Sequence, residues 1–263
     1  MHKTFDAKEL NELKNNLANK IWIFSQSPVG WSFLRKDFSF IFTILPSLKF
    51  NEGFTIRAYR YVAENKRSVK LQFWAVPINE WLPQPEECMV YESKHISYPK
   101  PNCVLDNVMH AIDGDGSIDA YLSASLLYRT LDRVRCHSAE NWGLNVIIDD
   151  ELMKMADLFD KNLYFQKLRD KNYRDSISRE EHFLSHHLTA FNTDDWKWKS
   201  SRNSILWKPS VEFDGDEVLV SFYTYCGHVK KTILKYTDFY TKGSYRFDSS
   251  CEIIAEGGEG YHI

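Results

Sequence analysis

Val211-Glu212-Phe213-Asp214-Gly215-Asp216-Glu217-Val218-Leu219-Val220-Ser221-Phe222-Tyr223-Thr224-Tyr225 is the stretch that decides the fold. Two β-prone runs, Val211–Phe213 and Glu217–Tyr225, flank an Asp-Gly pair. Asp-Gly suits the tight primed turns that join antiparallel strands, so the stretch predicts a β-hairpin. Val229–Tyr236 continues it as a third strand and Phe247–Ala255 as a fourth, before a tail containing Gly257, Gly258 and Gly260. The last third of the chain is therefore expected to be an antiparallel sheet.

The opposite end starts with a helix. Asp6 and Glu9 have the spacing of a capping box. Leu10, Leu13, Leu17, Ile21 and Phe24 then recur on one helical face, and Pro28 and Gly30 end the pattern. Asp37–Ile78 reads differently. The run Phe38–Leu45, the turn Asn51-Glu52-Gly53, and the strands Phe54–Val62 and Ser68–Val76 predict an antiparallel meander. Four prolines between Trp81 and Pro101 predict an irregular connection.

The middle is helical. Ile112–Ser117 reads as a turn, and helices are predicted over Asp119–Val134, Asp150–Lys171 and Ser178–Leu188, with a short strand at Leu144–Ile148. Runs of strands separated by a run of helices define an α+β protein, not an alternating βαβ fold. The expectation is mainly antiparallel sheet from the N-terminal and C-terminal thirds. It packs with a central group of helices and an N-terminal helix, in a single domain over 1–263 with sub-lobes 1–101 and 102–263. At 263 residues the chain is long enough for a sizeable core.

Composition narrows the function classes. The net charge is −3, so no global positive field gathers nucleic acid. Aromatic residues make up 15% of the chain, which suits strands, cores and recognition surfaces. The start lacks an apolar secretory run, and Phe38–Leu45 is too short to cross a bilayer. Five cysteines, widely spaced and with no C-x-x-C, read as reduced thiols in a cytoplasmic protein.

Several constellations carry partial chemistry. Asp113, Asp115, Gly116 and Asp119 resemble the middle of a calcium-binding EF-hand loop, but Ala111 and Leu122 occupy its first and last ligand positions. His110 lies three residues before Asp113, where a His–carboxylate pair would suit metal-assisted hydrolysis. His182 and His186 have the i, i+4 spacing of zinc-binding helices, though Phe183 stands where a zinc protease has its glutamate. Cys136-His137 and Cys226-Gly227-His228 place a thiol beside a base without assuring geometry. The sequence has no nucleophile elbow and no phosphate loop.

Trp196-Lys197-Trp198-Lys199, Arg202 and Trp207-Lys208 interleave aromatic and basic residues. Trp and Arg are favoured anchors at protein interfaces, and the same alternation suits single-stranded nucleic acid. The simplest local reading is a capped helix starting at Thr193 or Asp194 with its tryptophans buried. The resulting expectation is a non-enzymatic intracellular interaction protein, for example one that neutralises a toxin as immunity proteins do. Its partner is another protein, not nucleic acid or a membrane. The contact residues are Trp196, Trp198, Arg202 and Trp207. The competing class is a metal-dependent hydrolase or nuclease using His110, Asp113, Asp115, His182 and His186. No cofactor is identified from the sequence.

Overall fold

The computed structural model describes residues 1–22, 29–64, 69–93, 96–105, 107–131, 145–158, 169, 196–199, 201–227 and 230–259. It is a mixed α and β structure dominated by a large, curled antiparallel sheet with few helices. The first elements are β1 (His2–Thr4) and α1 (Ala7–Trp22). The Asp6 carboxylate caps α1 by accepting the Glu9 backbone N–H at 3.0 Å. Leu10, Leu17 and Ile21 are buried on the face that the sequence spacing marks. Phe24 lies outside the described residues.

The strand β2 (Gly30–Leu34) is followed by a short helical turn, α2 (Ile41–Ile44), which corrects the meander reading of Phe38–Leu45. The Asp37 carboxylate accepts both the Ser39 N–H and the Ser39 hydroxyl, which bends the chain. Phe38, Ile41 and Leu45 are then buried at spacings of three and four. A nearly continuous apolar run does not distinguish a period of two from a helical one. Here the polar turn at its start makes the choice.

Next come β3 (Leu48–Phe50), β4 (Phe54–Val62) and β5 (Val69–Pro77). β2, β4 and β5 form a three-stranded antiparallel sheet in the order β2-β4-β5. The proline-rich connection is more regular than its composition predicts. It contains a 3-10 turn at Pro85–Cys88 and a hairpin of β6 (Met89–Ser93) and β7 (Ile96–Pro99). Two of the four prolines fall at element boundaries, where a missing N–H is tolerated: Pro85 opens the 3-10 turn and Pro99 ends β7. Likewise Ile112–Gly114, read as turn, is strand β8, paired with β3.

The helix α3 (Ile118–Leu131) starts on Ser117, whose hydroxyl accepts the Ala120 N–H at 3.2 Å. It is followed by β9 (Val146–Ile148) and α4 (Asp150–Leu158). The predicted helix Ser178–Leu188 and the end of Asp150–Lys171 lie outside the described residues. Asp149 joins three elements. Its carboxylate accepts the Leu152 N–H at the start of α4 and the Ala7 N–H at the start of α1, at 2.9 and 3.1 Å. The outer edge of β9 is covered by α1. The Asn11 amide donates to the Ile147 carbonyl and accepts the Ile147 N–H, and the Lys14 ammonium donates to the Asn145 carbonyl. Side chains thus supply bonds that a neighbouring strand would otherwise make.

The remaining strands are β10 (Lys197–Trp198), β11 (Ser210–Asp214), β12 (Glu217–Cys226), β13 (Lys230–Thr241) and β14 (Phe247–Glu259). They form a seven-stranded antiparallel sheet in the order β1-β11-β12-β13-β14-β10, with β9 pairing β12 beyond the end of β11. The predicted hairpin is present. Asp214 pairs with Glu217, and Gly215 takes φ +60° at the first turn position. Val218, Val220 and Phe222 on β12 face the main core with α1 and α3. That core also contains Ile56, Ala58, Leu71 and Phe73 from the smaller sheet. Among the described residues, no helix is long and apolar enough to cross a membrane.

Candidate functional site

At one end the large sheet is apolar on both faces. Phe222 and Leu234 face the main core. Their neighbours Tyr223, Tyr225 and Ile233 point the other way, because successive strand residues alternate. On that second face they meet Ile148, Met153, Ile254 and Ala255 and the three tryptophans marked in the sequence.

Trp198 lies on strand β10, with Trp196 just before it and Trp207 in the connection to β11, and not on the predicted capped helix, whose start at Thr193 or Asp194 lies outside the described residues. Lys197 and Trp198 pair antiparallel with Glu256 and Ala255 of β14. Trp196 and Trp198 alternate with Lys197 and Lys199, which is the period of a strand, and Trp itself favours strands. β13 and β14 shift register between Lys230 and Thr232 and again between Ile233 and Leu234. Such irregularities increase local twist, here directly beside β10.

The rings form a chain. Trp196 and Trp198 have centroids 6.1 Å apart, Trp198 meets Trp207 edge-on at 6.0 Å, and Trp207 meets Tyr223 edge-on at 5.0 Å. Trp207 is buried, whereas Trp196 and Trp198 are half-buried. Gly257 lies tightly against its neighbours: an added Cβ would approach Lys231 Cβ to 3.1 Å and the Trp196 ring to 3.2 Å. Arg202 places its guanidinium 5.7 Å from the Trp198 ring and donates to the Met153 carbonyl at 3.4 Å. Exposed Lys197, Lys199 and Lys208 and an exposed Leu206 surround this edge. The structure therefore brings together all four residues of the predicted contact set.

The acidic turn has a different arrangement. Asp113 pairs with Lys49 at 3.3 Å, and Asp119 pairs with Lys3 at 2.6 Å. Asp115 accepts the Ser117 N–H at 2.9 Å, and hydrogen bonds from the Ser117 side chain and backbone hold its carboxyl below its ordinary range. The three carboxylates are thus engaged with three separate partners. Tyr245 fills the inner side of the turn. Its hydroxyl accepts the Gly116 N–H at 2.8 Å, and its ring packs where a Cβ on Gly114 would stand. Burial pushes the Tyr245 phenol up to about 12, against the lowering effect of that hydrogen bond.

His110 sits on a 3-10 turn, Val108–Ala111, with Nδ1 3.5 Å from the Arg246 guanidinium. Burial, and then the Arg246 charge, lower its pKa. Among the described residues, the charged side chain shown beside its ring is thus a cation. Among the described residues, no three of His, Cys, Asp or Glu are grouped to hold a metal ion. His182, His186, Cys136, His137 and His228 lie outside the described residues.

Sequence reading missed a tightly bonded polar group in the described core. Arg129 on α3 makes two hydrogen bonds of 2.6 Å to Asp238 on β13 and a third of 2.9 Å to the Ser249 hydroxyl. The Phe222 and Tyr236 rings lie 4.9 and 4.6 Å from the guanidinium. The signal was an Arg on a helix whose core positions include Leu122, Leu126, Leu127 and Leu131.

No family model matches the chain, and no curated protein or solved structure matches it.

Proposed function

We propose that this protein acts by binding another protein, and that the aromatic edge of Trp196, Trp198 and Arg202 is its contact surface. The observation that carries this reading is the ring chain ending in two half-buried tryptophans, one of them with the Arg202 guanidinium 5.7 Å from its ring. Half-buried Trp and Arg side chains already packed against the sheet lose little conformational freedom on binding, which favours them as hot spots. Trp207, being buried, anchors the pair from beneath. The flanking lysines suit a partner that presents carboxylates, and neutralising a toxin by covering its active surface is one activity of this kind.

Co-purification from the native host, followed by affinity measurement with the partner so captured, tests the reading. Trp198→Ala and Arg202→Ala are each expected to weaken binding at least about tenfold while the thermal melt stays cooperative. Unchanged affinity in both variants would remove this edge as the contact surface.

A further inference from the structure

Over most of its length β14 is paired on one side only. Phe247–Ile253 pairs with β13, while on the other side β10 reaches only Ala255 and Glu256. Among the described residues, no strand pairs with Phe247–Ile253 on that outer side. Exposure agrees, because Asp248–Ile253 is an unbroken exposed run covering side chains of both faces. Ser221, Thr237 and Ser250 stand in one row across β12, β13 and β14. Ser221 and Thr237 have a strand on each side and are half-buried, whereas Ser250 is exposed. An open edge presents N–H and C=O groups that a further strand can pair, and folded proteins commonly blunt it with Lys, Pro or a very short edge strand. The segment Phe247-Asp248-Ser249-Ser250-Cys251-Glu252-Ile253 contains neither Lys nor Pro. The sheet's terminal strands β1 and β10 have only three and two residues.

Register fixes which side chains a new strand would meet. Asp248, Ser250 and Glu252 lie opposite Phe239, Thr237 and Lys235. These alternate with Tyr236 and Tyr240, which face the main core, so Asp248 and Glu252 share the outer face of the sheet. The cations next to them on the chain or in register face other groups. Lys235 lies 5.9 Å from the Tyr223 ring, and Arg246 lies 3.5 Å from His110. Lys197 of β10 is in register with Glu256, beyond the open stretch. Symmetric pairing of two copies about Ser250 would set the Asp248 and Glu252 carboxylates against each other, which is destabilising. Cations at those two positions reverse the sign. We propose that this edge takes up an extended segment of another protein as an added strand, with Lys or Arg at two positions four residues apart set opposite Asp248 and Glu252. Backbone hydrogen bonds would hold the segment and the two charge pairs would set its register. This surface is separate from the Trp198 contact proposed above and does not rest on it.

Selection of a nine-residue random-peptide display library on the immobilised protein tests the proposal, with counter-selection on Asp248→Asn/Glu252→Gln. Both carboxylates are exposed, so the thermal melt of that variant should match the parent. Enriched peptides are expected to share Lys or Arg at two positions four residues apart and to lose affinity at high salt. Their affinity should fall at least about tenfold for the double variant and stay unchanged for Glu212→Gln, an exposed acid on β11 of the same sheet. Backbone N-methylation of one enriched peptide at alternate residues separates strand addition from charge attraction. One phase of methylation should abolish binding and the other should spare it, because only alternate N–H groups face the edge. Failure to enrich any peptide, enrichment without the four-residue spacing, or equal binding by the two methylated forms would overturn it.

Discussion

The Arg129 guanidinium grips the Asp238 carboxylate through two parallel 2.6 Å hydrogen bonds inside the core, tying α3 to the middle of the large sheet. The side chains are 7% and 0% exposed, so little solvent screens them. Burial alone works against the Arg129 charge. The Asp238 carboxylate outweighs it and holds the guanidinium pKa above its ordinary value. Removing one partner leaves the other charge buried and uncompensated. Asp238→Ala and Arg129→Met are therefore each expected to cost about 3–5 kcal/mol in denaturant unfolding. Arg129→Met combined with Asp238→Leu should recover much of that loss. A double variant no more stable than the singles would show that the ion pair itself, and not the relief of a stranded charge, sustains this contact.

Gly114 is expected to tolerate no side chain. A Cβ there would stand 2.5 Å from the Tyr245 ring, which stacks on Tyr121 with centroids 5.0 Å apart. Gly114→Ala should displace the ring, release the Gly116 N–H, and cost about 1–3 kcal/mol as an overpacking change. Thermal unfolding measures the cost. A second substitution, Tyr245→Leu, should reduce the penalty of the first if the clash is its cause.

His110 gives a stability change with a definite sign. Its folded pKa is lowered by burial and by Arg246, so between that pKa and about 6.5 the unfolded chain binds more protons. Stability from this group is therefore full above about pH 6.5 and is lost as the pH falls toward the folded pKa. Arg246→Gln should raise the His110 pKa, as read by NMR titration of its imidazole. No movement in that titration would remove Arg246 as a cause.

Trp207 and Trp198 should separate in stability as they do in burial. Trp207 is 4% exposed and touches Trp198 and Tyr223 edge-on, so Trp207→Ala is expected to cost about 3–5 kcal/mol. Trp198 is half-buried on a two-residue strand, and its loss should cost clearly less. Urea denaturation of the two variants checks the order. Equal costs would place Trp198 in the core with Trp207.

Local pattern was enough for the elements whose hydrogen bonds or apolar periods are short-range. The Asp6 cap, the buried face of Leu10, Leu17 and Ile21, and the Asp-Gly hairpin before β12 all follow from residues a few positions apart. The Phe38–Leu45 helical turn did not, because apolar residues occupy both candidate periods and a side-chain bond at Asp37 selects between them. The tryptophan strand was misread for a related reason. Its pairing partner, Ala255 and Glu256, lies more than fifty residues further along the chain.

For the candidate sites, the sequence by itself determined which side chains were available: alternating Trp and Lys, an acidic turn, and an Arg among leucines. Only the tertiary structure decided what each one meets. It packed Trp196, Trp198 and Trp207 on one face of one sheet with Arg202 against Trp198, gave Asp113, Asp115 and Asp119 separate partners, and buried Arg129 against Asp238. The physical reason is range. Caps, turns and periodicity act over a few residues, whereas ring stacking and ion pairing depend on contacts that form only after the strands have set their register.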